Sequence, residues 1–214
     1  MSVWVFDDVL SIQDAKKVEG AVKSTRFNAQ RGRSAGAPFH YYPLELEKGL
    51  KWGDWEPQYA PNLHWYKKSP TDDPFMVQLF NGLVDKCNLK ELGVEEIGDC
   101  YINGHKHGDS PHIHPDIAFG NMTLLYYPIL DWDEKRWGGG TTIWDKDIES
   151  VDQIDELEIL KHATYKGNRL VVFDAWHWHR PEPVARICKE IRYVVVFKSV
   201  ASGGNTERLS YYDN

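Results

Sequence analysis

Apolar positions along this chain fall into two regimes. In the N-terminal half they recur at helical spacing. Val3 to Leu10 reads as a short strand and turn, and Ser11-x-x-Asp14 then forms a capping signal. Ile12, Ala15, Val18 and Val22 follow on one helical face. Asp73-Pro74 opens a second helix, with Asp as N-cap and Pro at the first helical position. Its stripe of Phe75, Met76, Leu79, Phe80, Leu83 and Val84 belongs to the core. Between these helices, from Arg26 to about Lys68, periodicity is weak and aromatics are frequent. That stretch predicts loops and edge strands around a core, with Trp52, Trp55, Tyr59, His64 and Trp65 as candidates for a substrate entrance.

From Ile97 onward the spacing shortens to that of strands separated by turn signals. The predicted strands are Ile97–Ile102, His112–Ala118, Met122–Tyr127, Thr141–Trp144, Leu157–Thr164, Arg169–Phe173, His177–Val184 and Arg192–Lys198. Many short strands in such a span fit an antiparallel sandwich or jelly-roll barrel. Two helices ahead of them predict an α+β arrangement, with the N-terminal helices packed on one sheet.

Composition narrows the class. A chain of 214 residues fits a single domain, 1–214, with a sizeable core. No apolar run approaches the roughly 20 residues of a membrane span, so no membrane partner is expected. The start, Met1-Ser2-Val3-Trp4, lacks the basic and apolar regions of a secretory signal. Cys87, Cys100 and Cys188 are few and scattered, which favours free thiols and a cytoplasmic location. The net charge of −7 argues against nucleic acid as the main partner.

The candidate chemistry lies in Pro111-His112-Ile113-His114-Pro115-Asp116. Side chains at i and i+2 share a strand face, so His114 and Asp116 can reach one metal ion. A second copy of the spacing, His107-Gly108-Asp109, sits among loop residues that would fix ligands poorly. His105, His107 and His112 read as a polar loop near the site. A further imidazole is available downstream in Trp176-His177-Trp178-His179, where His177 and His179 point the same way. Two imidazoles and one carboxylate form the facial triad of non-haem Fe(II) oxygenases.

The segment His179-Arg180-Pro181-Glu182-Pro183-Val184 makes a resemblance specific. The chain resembles the prolyl 4-hydroxylase branch of the Fe(II)/2-oxoglutarate dioxygenases. There the distal histidine is followed four residues later by Pro and a small apolar residue, which favours His179. The likeness runs from Asp99 to Lys198 in the family's order. Cys100-Tyr101 resembles the strand before the first ligand. Leu125-Tyr126-Tyr127, Asp131-Trp132 and Gly138-Gly139-Gly140-Thr141-Thr142-Ile143-Trp144 resemble the Tyr strand, the variable loop and the glycine-led strand. Lys166 to Phe173 resembles the strand leading to the distal histidine, and Arg192-Tyr193 the strand carrying the cosubstrate arginine. Two departures stand out: residues 104–113 look inserted, and Arg192 lies 13 positions after His179.

The resemblance implies a double-stranded β-helix, with Fe(II) on His114, Asp116 and His179. It implies 2-oxoglutarate held by Arg192 and Tyr127, with Tyr101 as a further contact. An arginine suits a buried carboxylate because its planar fork donates two parallel bonds and keeps its charge. Lys189 and Lys198 are the alternatives to Arg192 for this role, but read rather as solvated strand-end charges. The implied reaction consumes O2, converts 2-oxoglutarate to succinate and CO2, and hydroxylates a C–H; ascorbate is an accessory reductant. The implied substrate is a prolyl residue of a protein or peptide, with a free amino acid or other small molecule as the alternative. A cupin-like metal dioxygenase without 2-oxoglutarate and a non-catalytic binding barrel are the rival readings.

Overall fold

The computed structural model describes residues 3–24, 26–31, 39–46, 50–51, 73–109, 113–116, 121–145 and 151–200. Trp52, Trp55, Tyr59, His64, Trp65 and His112 lie outside them. Strand β1 (Val3–Phe6) leads into helix α1 (Ile12–Ser24), then β2 (Arg26–Arg31), β3 (Phe39–Leu46) and β4 (Leu50–Lys51). Helix α2 (Pro74–Lys86) precedes β5 (Glu96–His105) and β6 (Met122–Tyr127). The short helix α3 (Glu134–Trp137) is followed by β7 (Thr141–Trp144), β8 (Ile159–Ala163), β9 (Arg169–Asp174), β10 (His179–Pro181) and β11 (Arg192–Val200).

Local chemistry explains where the helices begin. The Ser11 hydroxyl accepts from the Asp14 amide at 3.1 Å, as a cap should. Asp73 accepts from the Phe75 and Met76 amides, both at 3.0 Å. Ala15, Val18 and Val22 are buried, whereas Ile12, in the first turn of α1, is exposed. Met76, Leu79, Phe80, Leu83 and Val84 are all buried, and Phe80 meets Phe197 of β11 at 5.4 Å. The helices therefore join the same core as the large sheet.

The strands form two antiparallel sheets. The larger has the order β1-β9-β6-β11-β5-β3-β2, with β4 on β3; the smaller has the order β10-β7-β8. Cross-strand partners share a face. Thr123 of β6 is opposite Phe173 of β9 and Lys198 of β11, and Leu125 is opposite Val171 and Val196. On the other side of β11, Val196, Val194 and Arg192 face Tyr101, Asn103 and His105 of β5. One face of the large sheet thus runs from Lys198 through Val196 and Val194 to Arg192.

Strand bounds differ from expectation where backbone donors are spent elsewhere. His177–Val184 was expected as one strand, but only His179–Pro181 is. Asp174 accepts from the Trp176 amide at 2.9 Å and its carbonyl from the His177 amide at 3.0 Å, making a turn. Pro183 brings no N–H to continue the ladder. Within the predicted strand His112–Ala118, the described residues form only a bridge at His114. His105 was placed in a polar loop but is the buried last residue of β5.

Candidate metal and cosubstrate site

His114 and His179 are fastened to each other through the backbone. Each amide donates to the other's carbonyl at 3.0 Å, and the rings lie 4.5 Å apart. Asp116 is hung from the large sheet: its amide donates to Ala175 at 2.8 Å. One ligand atom from each of His114, Asp116 and His179 falls within 4.8 Å of the others. His179 Nε2 is 3.3 Å from Asp116 Oδ2, and His114 Nε2 is 3.7 Å from Oδ1. The His179 Nδ1–H points to the His177 carbonyl at 3.0 Å, which leaves Nε2 with its lone pair. Asp116 and His179 are buried while His114 is exposed, so the triad has a dry side and an open side. This donor set fits a divalent first-row metal with positions left for other ligands.

The Asp116 side chain is held by two neighbours. Thr123 Oγ1 donates to Oδ2 at 2.8 Å. The Lys198 ammonium pairs with the same oxygen, and its Nζ lies 5.7 Å above the Tyr101 ring. Burial pushes the carboxyl's pKa up, but the Lys198 ammonium, helped by the neighbouring His179 and His114, holds it well below the usual carboxylate range. Lys198 is 2% exposed, which corrects its reading as a solvated strand-end charge. The strand runs two residues beyond it, to Val200, so it stands inside the sheet. Lys189 is exposed as expected.

A second cluster centres on Arg192, 1% exposed. Its Nε donates to the Gly139 carbonyl, Nη2 to the Gly140 carbonyl at 3.2 Å and to Thr141 Oγ1 at 3.1 Å. Nη1 donates to His105 Nδ1 at 3.2 Å. Tyr127 donates to the same Thr141 hydroxyl at 2.8 Å and stacks on Tyr165 at 4.5 Å. The guanidinium lies 5.7 Å from each of these two rings. Burial pushes the Tyr127 pKa up, so its hydroxyl stays a neutral donor. Close approach explains the glycines. A Cβ on Gly139, whose φ is +83, would stand 3.0 Å from Arg192 Cδ. One on Gly140 would stand 2.7 Å from the Ala163 carbonyl.

The predicted residues therefore fall into two groups. His114, Asp116 and His179 come together, and Arg192 meets Tyr127 through Thr141. Tyr101 pairs with Val196 rather than with Arg192 and stands beside Lys198. His177 is buried, with Nδ1 donating to the Trp144 carbonyl at 2.8 Å. His107 Nδ1 bonds the Val184 carbonyl at 3.0 Å, outside the triad. Sequence reasoning missed Thr123, Thr141 and Tyr165, and had His105 near the site only as part of a loop. Thr141 could have been noticed as the polar residue directly after three glycines.

A buried cation beside a hydroxyl donor fits one end of a dicarboxylate such as 2-oxoglutarate. The backbone carbonyls now bonded by Arg192 fix the fork in place. The apolar Val194 and Val196 separate this cluster from the carboxylate of the triad.

No family model and no curated protein sequence matches the chain. Solved structures do. A prolyl hydroxylase from Trichoplax adhaerens, in complex with a hypoxia inducible factor oxygen degradation domain peptide fragment, matches with a TM-score of 0.58 at 14% identity. That match covers 99% of this chain and 87% of the other. A prolyl-4-hydroxylase from Pseudomonas putida matches at 0.50 and 14% identity, covering 92% of each chain. The non-haem alpha ketoglutarate dependent carbocyclase SnoK of nogalamycin biosynthesis matches at 0.55 and 10% identity, covering 92% and 79%. The fold of this chain is that of the prolyl hydroxylases and other non-haem 2-oxoglutarate-dependent enzymes.

Proposed function

We propose that the protein is an Fe(II)- and 2-oxoglutarate-dependent dioxygenase that hydroxylates an unactivated C–H, with a prolyl residue of a peptide as the substrate class. The observation that carries this reading is the convergence of His114, Asp116 and His179 within 4.8 Å. Its support is the buried Arg192–Thr141–Tyr127 cluster on the same sheet face. In this reading the two sheets are the halves of a double-stranded β-helix. The peptide bound to the Trichoplax neighbour supports a peptide substrate.

His114, Asp116 and His179 would hold the iron, which supplies O2 activation coupled to conversion of 2-oxoglutarate to succinate and CO2. The protein supplies geometry and dryness. Arg192 and Tyr127 bind and orient the distal carboxylate. Thr123 and Lys198 hold Asp116, and the His177 carbonyl fixes the tautomer of His179. Phe173, packed against the His179 ring at 4.9 Å, keeps water off its buried side.

The test is succinate release from 2-oxoglutarate with Fe(II) across peptide and small-molecule libraries. Iron-dependent succinate release, enhanced by proline-containing members, is the expected outcome. No iron-dependent turnover and no 2-oxoglutarate binding would reject the assignment.

A further inference from the structure

Arg192 is anchored through all three of its guanidinium nitrogens, and they are not held alike. Nε bonds the Gly139 carbonyl, and Nη2 bonds the Gly140 carbonyl and Thr141 Oγ1. Those contacts all come from one segment, and two of them are backbone. Nη1 is held from a different strand, by His105 Nδ1 at 3.2 Å. His105 and Arg192 are direct cross-strand partners on β5 and β11, so their side chains share a face of the large sheet. Both are buried, at 3% and 1% exposure. His105 also falls in the stretch 104–113, where the chain departs from the family it resembles.

The bond fixes the state of the ring. A guanidinium carries donors only and keeps its charge. His105 Nδ1 is therefore the acceptor, the ring proton is on Nε2 and the imidazole is neutral. An imidazolium would offer no lone pair and would set a second positive charge against the first. The other groups around the guanidinium are Tyr127 and Tyr165, with ring centres at 5.7 Å, and Glu182, whose carboxylate accepts from the Thr142 hydroxyl at 2.5 Å. Without His105, Nη1 loses the ring nitrogen that fixes its direction, while Nε and Nη2 keep their partners.

We propose that His105 is a positioning residue for the cosubstrate: as an acceptor it aims Arg192 Nη1, and so sets how tightly a dicarboxylate is gripped. This rests on the dioxygenase reading above. It assigns a role to a residue outside both the metal triad and the pair that meets the distal carboxylate.

Two measurements test it. The first is the nitrogen NMR spectrum of the histidine rings in the metal-free protein, with His105 assigned by its absence from His105→Asn. A bare Nδ1 and a protonated Nε2 are expected, and a proton on Nδ1 overturns the proposal. The second is titration of 2-oxoglutarate into the anaerobic Fe(II) protein. His105→Leu should weaken binding about tenfold, the scale of one bond to a charged group, with Fe(II) stoichiometry unchanged. His105→Asn, whose side-chain oxygen takes the place of Nδ1, should recover most of that loss. In an Arg192→Ala background, His105→Leu should change the affinity no further, because the residue it positions is gone. Wild-type affinity in His105→Leu overturns the proposal, as does an undiminished loss in the Arg192→Ala background or an Asn variant as weak as the Leu one. Should His105→Leu not fold, the ring tautomer and the affinity of His105→Asn decide. A wild type that binds no 2-oxoglutarate rejects the dioxygenase reading; one that binds it regardless of His105 rejects this proposal alone.

Discussion

Thr123 and Lys198 stand directly opposite each other on β6 and β11, and both side chains close on the same oxygen of Asp116. Oδ2, the oxygen nearer His179, is thus engaged by the sheet itself. Oδ1, the oxygen nearer His114, carries neither of these two contacts.

Metal binding should follow that geometry. His114→Ala and His179→Ala each remove one of three fixed ligands and should lower Fe(II) stoichiometry to near zero after anaerobic desalting. His107→Ala should keep full stoichiometry, since its ring serves the Val184 carbonyl. Metal analysis showing iron retained in His114→Ala and lost in His107→Ala would move the site to the other H-x-D.

The two downstream histidines should separate cleanly. His177 acts on its neighbour through its carbonyl, which alanine keeps. His177→Ala should therefore retain iron while losing about 2–4 kcal/mol of stability, from a buried cavity and one lost hydrogen bond. His179→Ala should lose iron. Denaturant titration of the metal-free proteins, set beside iron content, distinguishes the two.

Arg192→Ala should leave iron bound and weaken 2-oxoglutarate by roughly a hundredfold to a few thousandfold, from about 3–5 kcal/mol for a broken buried charge pair. Arg192→Lys should recover part of the loss, because the charge returns without the fork. Tyr127→Phe should have the smaller effect, about 1.5–3 kcal/mol for one bond to a charged group. Titration of 2-oxoglutarate into anaerobic Fe(II) protein, followed by its visible charge-transfer absorption, measures all three. Unchanged affinity in Arg192→Ala would revive a dioxygenase that works without 2-oxoglutarate.

Gly139→Ala tests the same pocket from the backbone side. The left-handed φ costs a side chain about 1–2 kcal/mol, and the new methyl presses on Arg192 Cδ. Thermal melts should show a modest loss of stability. The 2-oxoglutarate titration should show weaker binding, with iron content unchanged.

Acid should loosen the edge of the large sheet. The Arg169 guanidinium, bonded at 2.6 Å, is the main cause that lowers the Asp7 pKa. A folded pKa below the unfolded one adds stability that is fully present above about pH 4 and is lost as pH falls through the folded value. Asp7 is 40% exposed, so solvent screening keeps the effect small. Asp7→Asn should shift urea midpoints slightly at pH 7 and flatten their decline below pH 4. An unchanged acid slope would exclude Asp7 as a contributor.

Several elements were legible because one local signal decided each of them. Asp73-Pro74 placed the start of α2, and alternation with turn residues placed β6 and β7 at their observed bounds. The two metal-ligand segments were legible through their side-chain chemistry. What stayed hidden depends on partners distant in sequence. Nothing around Thr123 announces that it will face Asp116. His105 reads as loop because its neighbours are Gly104 and Lys106, and only its register opposite Arg192 makes it interior. Lys198 was misjudged for the same reason: a lysine near a strand's end is ordinarily wet, and only the three-dimensional neighbourhood supplies the carboxylate that lets it be buried.

The ligands of the triad come from two places far apart along the chain: His179 lies on the small sheet, whereas Asp116 is tied by its amide to Ala175, just past the end of β9 in the large one. An ion bound to both would act as a reversible cross-link, closing a loop of about 60 residues much as a disulfide of that span would. By chain entropy, such a closure limits the unfolded ensemble by on the order of 4 kcal/mol. Loading with metal would then set how tightly the small sheet is locked to the large one, making iron supply a determinant of the protein's lifetime as well as of its chemistry.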